Sequence, residues 1–381
     1  MLLQPISIVS LASVSPLGLG FDAAEKGYAR DSHKFKKSHF SFGEAWVASL
    51  HPEAAAEVDA IRSEEPYRHL DKSVLMAIAA SRMAVSDAGW TDGKFGINIG
   101  SSRGATAIFE NHHKEFLETG YTHTRTSPTT TLGNISSWVA QDLMAAGPDI
   151  SHSITCSTSL HALLNGIAWI QAGMADRFLV GGSEAPLTSF TIAQMNAMKI
   201  YSKRDEDFPC RAMDFGKRHN SMILGEAASV CCLEAGTPDA LARISGIGYA
   251  TEKLTHSTSI SADAECFQKS MSMAIEGLDT SDIDAIVMHA PGTIAGDKAE
   301  QAAIEKVFGN NVPLLTGNKW KIGHTFGASG MLSVEMAVAM IRSGKFIGVP
   351  FLDQQDGGIK RVLVNSVGFG GNAVSIVVES R

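Results

Sequence analysis

Short apolar, β-branched runs alternate with longer segments of helical spacing along nearly the whole chain. This alternation restricts the fold more than any other feature. Residues 6–9 form an apolar strand that ends in a Ser/Pro/Gly loop. Residues 71–88, rich in Ala, Met, Leu and Ile, read as a helix closed by the Gly-Trp-Thr-Asp-Gly break at 89–93, and 95–99 returns as a strand. The rhythm continues with strands at 242–250 and 284–288, helices at 297–308 and 328–341, and a closing pair of strands, 362–365 and 374–378, around a Gly-rich turn. Strands alternating with helices predict an α/β fold. Turn residues at 234–238 mark a boundary, so the chain reads as two units, 1–237 and 238–381. The Thr-rich stretch 121–131 reads as a polar loop.

Composition excludes several classes. The 381 residues are 44% hydrophobic and 19% charged, enough apolar material for a large core. A net charge of -8 argues against nucleic acid as the main partner, because phosphate binding needs a basic surface. Five cysteines without regular spacing predict neither a disulfide framework nor a zinc site, which implies a reducing compartment. The first twenty residues lack the basic start of a signal peptide, and no apolar run reaches about 18 residues. A cytoplasmic protein without a membrane span is expected.

The most informative stretch surrounds Cys156. Serine and β-branched residues lead into it, Ser157-Thr158-Ser159 follow, and Leu160, Leu163, Leu164, Ile167 and Gln171 then keep helical spacing. Residues 176–180 continue as a strand into Gly181-Gly182-Ser183. This order places Cys156 at a turn before a helix, where unpaired N–H groups favour a thiolate and can donate to an oxyanion. Cys210, Cys231, Cys232 and Cys266 read instead as small buried hydrophobes.

Thr155-Cys156-Ser157-Thr158-Ser159-Leu160-His161-Ala162-Leu163 is similar to the nucleophile motif of β-ketoacyl synthases, the condensing enzymes of fatty-acid and polyketide assembly. Val180-Gly181-Gly182-Ser183-Glu184-Ala185 resembles the strand that follows it there. Asn134, Asp214 with Gly225-Glu226, Lys319 with Gly323-His324, and Gly368-Phe369-Gly370-Gly371 extend the resemblance in order along the chain. It implies the thiolase-like fold, two related α/β halves in an α-β-α-β-α stack, the first carrying Cys156 and the second Lys319, His324 and the Phe369 turn. It also implies an acyl-carrier-protein partner, a homodimer or a heterodimer with another ketosynthase, and no bound metal or organic cofactor, phosphopantetheine arriving with the carrier. A degradative thiolase does not match, since that class needs a second cysteine near the C-terminus and none follows Cys266.

By the resemblance, Cys156 accepts the acyl group, and Lys319 and His324 serve the condensation, with Asp297 and Glu300 holding the lysine network. Phe369 and Met222 are gate positions, Phe369 also supplying an oxyanion N–H. Lys203 and Arg204 fall near a position that faces the acidic carrier. The chain departs from the family where a first histidine is expected: His289-Ala290-Pro291-Gly292-Thr293 puts Pro291 there, and proline has no donor to offer. If 289–291 is extended, His289 lies about 7 Å from that position, and it replaces the missing donor only through a backbone shift. A glutamate expected nine residues after His324 is Ser333, with Glu335 two positions on. Two functions follow: decarboxylative condensation of an acyl thioester with malonyl-carrier protein, or a non-condensing subunit resembling the chain-length factors that pair with an active ketosynthase.

Overall fold

A computed structural model of the chain describes residues 4–132, 134–253, 260–353 and 357–381. Ten strands carry the main sheet: β1 (Ile6–Ser15), β2 (Gly96–Gly100), β3 (Asp149–Ile150), β4 (Arg177–Glu184), β5 (Ala227–Ala235), β6 (Ala242–Thr251), β7 (Ala285–Val287), β8 (Leu314–Thr316), β9 (Arg361–Val367) and β10 (Asn372–Glu379). They lie side by side as β8-β7-β9-β10-β6-β1-β5-β4-β2-β3, and Gly18–Leu19 pairs only with the end of β1.

This order contains a repeat. In β1–β5 the first strand is antiparallel to the fifth, the fifth antiparallel to the fourth, the fourth parallel to the second, and the second parallel to the third. Strands β6–β10 make the same pairings in the same sequence. The halves meet where β1 and β6 pair antiparallel, Ile6 opposite Ile244. Lys36–Phe40, Gly43–Ala48 and Leu224–Gly225 form a separate small sheet.

Eight helices matter for the site: α1 (Lys72–Asp87), α2 (Thr106–Thr119), α3 (Asn134–Asp142), α4 (Thr158–Gln171), α5 (Ser189–Ala197), α6 (Glu265–Ala274), α7 (Ile294–Phe308) and α8 (Ser329–Ser343). Helices α1 and α3 cover the outer face of the first half, α6 that of the second with α7 against it, and α4 and α8 pack together between the halves. The buried side chains divide accordingly. One cluster joins Leu160, Leu163 and Ile167 of α4 to Leu332 and Val334 of α8 and to strands of both halves, and two others lie under the outer helices. The result is the expected α-β-α-β-α stack.

Local sequence explains each layer. Asp71 caps α1, its carboxylate accepting from Ser73 N at 2.8 Å. Every residue of α8 from Ser329 to Ile341 is buried, which suits an apolar helix enclosed between two sheets. Gly248 lets α6 lie directly on β6, since a Cβ there would sit 1.9 Å from the Ser270 carbonyl oxygen. A short helix at Thr126–Thr130 departs from the polar-loop reading of 121–131, and α2 precedes it where the sequence reading named no element. Of α2 only Thr106 is buried, so no core-facing stripe announces it in the sequence. Among the described residues no helix is long and apolar enough to cross a membrane.

Glu335 is the exception inside α8. It is fully buried, receives the Tyr28 hydroxyl at 3.1 Å, and burial pushes its carboxyl up to about 8. The folded chain therefore holds a proton here that the unfolded chain releases near pH 4.5, so stability from this group falls as pH rises between about 4.5 and 8. Thermal melts of Glu335→Gln should show a shallower decline across that window and a melting temperature at pH 8 no lower than that of the parent chain. A large loss at pH 8 would mean that the charged carboxylate is required.

Candidate active site

Cys156 lies in the loop between β3 and α4, two residues before the first helical residue. Thr155 adopts φ 46°, a left-handed conformation that costs a β-branched residue energy and turns the chain sharply into the helix. The Gly368–Gly371 turn holds it there. A Cβ on Gly368 would fall 1.9 Å from Thr155 Oγ1, and Ser366 Oγ donates to the Cys156 carbonyl at 3.2 Å. Phe369 lies on this turn and is 39% exposed. Met222 is buried in one apolar cluster with Cys156, Ile192, Met195, Leu224 and Phe326.

Lys319 and His324 come from the segment between β8 and α8. A one-turn helix, Lys319–Ile322, buries the lysine, and Gly323 at φ 74° releases the chain into His324. His324 N donates to the Ile223 carbonyl at 2.7 Å and its own carbonyl accepts from Gly225 N at 3.1 Å, so its backbone is docked beside Met222.

His289 follows β7. The extended continuation that would separate it from Pro291 by one strand repeat does not form. The strand ends at Val287, and Ala290 takes φ 25°. The His289 ring consequently packs edge-on against His324, centroids 5.2 Å apart and planes at 81°. His289 Nδ1, His324 Nδ1 and Lys319 Nζ are all buried, and none has a hydrogen-bond partner among the described residues. Cys156 shares its buried cluster with Phe326, whose ring lies 5.4 Å from that of His324, and the Lys319 charge is felt by Cys156 and both imidazoles, so the four side chains share one buried enclosure.

Asp297 and Glu300 do not bind the lysine. Glu300 accepts from His289 N at 2.9 Å, Ala290 N at 2.8 Å and Asn365 Nδ2 at 3.1 Å. Asp297 accepts from Gly292 N and Met213 N, each at 2.9 Å, and from Lys217 Nζ at 2.5 Å. The cause is the loop itself. Its backbone N–H groups leave the sheet in a buried place and require acceptors, which the first turns of α7 supply. The carboxylates hold the loop that holds His289, and the Glu300 charge reaches Lys319 only through space.

Sequence reading missed three residues here. Glu184, at the end of β4, accepts from Ser101 Oγ at 2.9 Å, Ser102 N at 2.7 Å, Arg103 N at 3.1 Å and Gly327 N at 3.0 Å. Its signal was present: an acid closing an apolar strand, Val180-Gly-Gly-Ser-Glu. Lys217 and Arg103 gave none, being cations in polar loops with no pattern around them. Lys203 and Arg204 are exposed; Arg204 lines two surface cavities of about 340 and 460 Å³, and Lys203 only the larger. Trp46 Nε1 donates to the Arg204 carbonyl at 2.9 Å, and the Arg204 guanidinium pairs with Glu206 at 3.0 Å.

Electrostatics here follow burial. The Cys156 thiol is pushed up to about 12 by burial and the nearby Glu184, with Lys319 and Arg103 opposing. The helix terminus therefore does not yield a resting thiolate. Burial also lowers Lys319 to about 8 and raises Glu300 to about 7. Burial and then Lys319 bring His324 down to about 3, and His289 is held well below its ordinary range by burial, Lys319 and His324. Both imidazoles are neutral near pH 7, each with one N–H to donate. Alkylation of Cys156 by iodoacetamide, followed by intact mass, should be slow at pH 7.5 and still rising above pH 9. A rate already level at pH 7 would refute a protonated resting thiol.

Comparison with known proteins bears on the family and the fold. The model of the β-ketoacyl synthase N-terminal domain matches residues 30–238, and that of the C-terminal domain matches 241–350. The 3-oxoacyl-[acyl-carrier-protein] synthase 2 of Staphylococcus aureus is 28% identical over 346 residues, 82% of this chain and 85% of that protein. The ishigamide ketosynthase/chain length factor superposes with a TM-score of 0.88 at 20% identity, over 99% of both chains. A type II PKS acyl-carrier protein in complex with its ketosynthase bound to the hexaketide superposes with a TM-score of 0.86 at 20% identity, over 99% of this chain and 100% of that one. With both domain models matched in order on a thiolase-like fold, the chain belongs to the β-ketoacyl synthase family.

Proposed function

We propose that the chain catalyses decarboxylative Claisen condensation of an acyl thioester with a malonyl thioester, both presented on an acyl carrier protein, with His289 standing in for the histidine that Pro291 displaces. The observation that carries this reading is the His289–His324 pair beside Cys156, with three buried polar atoms unpaired.

The chemistry proceeds in two stages. Cys156 Sγ attacks the acyl thioester carbonyl, its proton passes to the departing pantetheine sulfur as the carrier's C–S bond breaks, and the acyl group rests on the cysteine. The malonyl C–CO₂ bond then breaks, and its electron pair passes into an enolate whose oxygen receives N–H donors from the two neutral imidazoles. The enolate carbon attacks the acyl-cysteine carbonyl, and Cys156 leaves as thiolate, stabilised by the Lys319 charge. The carrier brings the phosphopantetheine arm, and the chain's own residues hold no cofactor in this scheme.

A second reading rests on Ser333. Its hydroxyl turns back to the Ser329 carbonyl at 3.1 Å, and Glu335 faces Tyr28, so α8 offers Lys319 no carboxylate. A subunit lacking that support serves a partner ketosynthase by shaping its acyl tunnel. Phe109, Phe116 and Leu117 of α2 and Tyr121 beyond it are exposed, an apolar face suited to pairing with a second ketosynthase-fold chain in either reading.

Cys156→Ala should abolish β-ketoacyl product in a purified assay followed by mass spectrometry. His289→Ala and His324→Ala should each lower condensation by about 10²–10³ while leaving acylation of Cys156 intact. An unchanged rate for His289→Ala would remove it as a donor. No product from the unaltered chain, together with a stable heterodimer on native mass analysis, would favour the subunit reading. Reversing charge at Lys203 and Arg204 should raise KM for carrier-borne substrate without altering turnover of a small-molecule thioester. Equal effects on both substrates would refute docking there.

A further inference from the structure

Arg103 brings a cation into the apolar cluster around Cys156. Its position is imposed by its own backbone: the loop after β2 is clamped to Glu184 through Ser101 Oγ, Ser102 N and Arg103 N, and Gly104 N returns to Ser101 Oγ at 2.9 Å. The same carboxylate binds Gly327 N, so the loop lies directly against the turn that carries Phe326. The Arg103 guanidinium carbon stands 6.0 Å from the Phe326 ring centroid, and that ring is 5.4 Å from His324.

The guanidinium is only partly satisfied. One terminal nitrogen donates to Gln194 Oε1 of α5 at 2.5 Å, while Nε is buried with no acceptor. Among the described residues no carboxylate lies within ion-pair distance of the side chain, although Glu184 takes the backbone N–H of the same residue. A planar donor with an unpaired Nε, set beside an aromatic ring at the edge of an apolar cluster, matches a carboxylate or carbonyl oxygen and suits a saturated chain poorly. Its charge is also felt at Cys156, where it favours the thiolate.

We propose that Arg103 is a specificity-determining residue that selects acyl groups carrying an acceptor oxygen, a carboxylate or a ketone beyond the thioester carbonyl, over saturated chains of equal length. The proposal rests on the acyl-transfer reading of Cys156.

The test supplies hexanoyl, 3-oxohexanoyl and adipoyl groups as N-acetylcysteamine thioesters and follows acylation of Cys156 by intact mass. The oxygen-bearing groups, or one of them, should load about tenfold or more faster than hexanoyl. A gain confined to adipoyl identifies a carboxylate, and one confined to 3-oxohexanoyl identifies a ketone. Arg103→Leu should collapse or invert the ratio, and Arg103→Lys should keep part of any carboxylate preference. A merely structural role would slow all three groups alike. The same comparison with the unreactive amide analogues, read by calorimetry on the unaltered chain and on Arg103→Leu, measures the preference without chemistry. Equal binding of the three amides, or a ratio that Arg103→Leu leaves unchanged, overturns the proposal. Arg103-dependent binding without any acylation would instead sink the acyl-transfer reading alone.

Discussion

Ser159, on the first turn of α4, accepts a hydrogen bond from Met331 N, on the first turn of α8, at 2.9 Å. Around it the two central helices meet so closely that a Cβ on Gly330 would fall 2.7 Å from Leu160 Cγ. Each helix belongs to one of two topologically equal halves, and each carries its chemistry just before its start: Cys156 ahead of α4, Lys319 and His324 ahead of α8. Juxtaposing the helix starts therefore assembles the site. The burial that drives the packing comes from Leu160, Leu163, Ile167, Leu332, Val334 and the strands on either side.

Burial has a second consequence. Each ionisable group in the enclosure is displaced toward its neutral form, the thiol and Glu300 upward, Lys319 and the two imidazoles downward. Neutral forms lower the cost of burying these groups, and the unpaired nitrogens of His289, His324 and Lys319 remain available to polar atoms. Acid side chains here serve as anchors. Glu300 and Asp297 fix the loop that presents His289, and Glu184 ties the loop after β2 to the turn before α8.

How far the site was legible depended on the range of the interaction involved. Cys156 and its helix are encoded within sixteen residues, by a Ser/Thr turn and a run of leucines and isoleucines at helical spacing. Lys319 and His324 share one short segment. The histidine question could not be read this way. Extended geometry separates His289 from the Pro291 position, but the chain leaves the sheet at Val287 and turns at Ala290, and Glu300 fixes that turn from another element. Asp297 and Glu300 act on Lys319 through their charge alone, since the nearby backbone donors take their oxygens.

By itself the sequence determined the α/β alternation and the helices flanking the site, because these depend on periodicity and turn chemistry within one or two dozen residues, whereas the choice of Cys156 among five cysteines rested on the family resemblance. Tertiary structure alone decided that His289 faces His324, that burial pushes the thiol upward, and that Arg103 lies against Phe326. Each of these depends on how residues from distant parts of the chain exclude water and share hydrogen-bond partners. A linear pattern carries no measure of that burial.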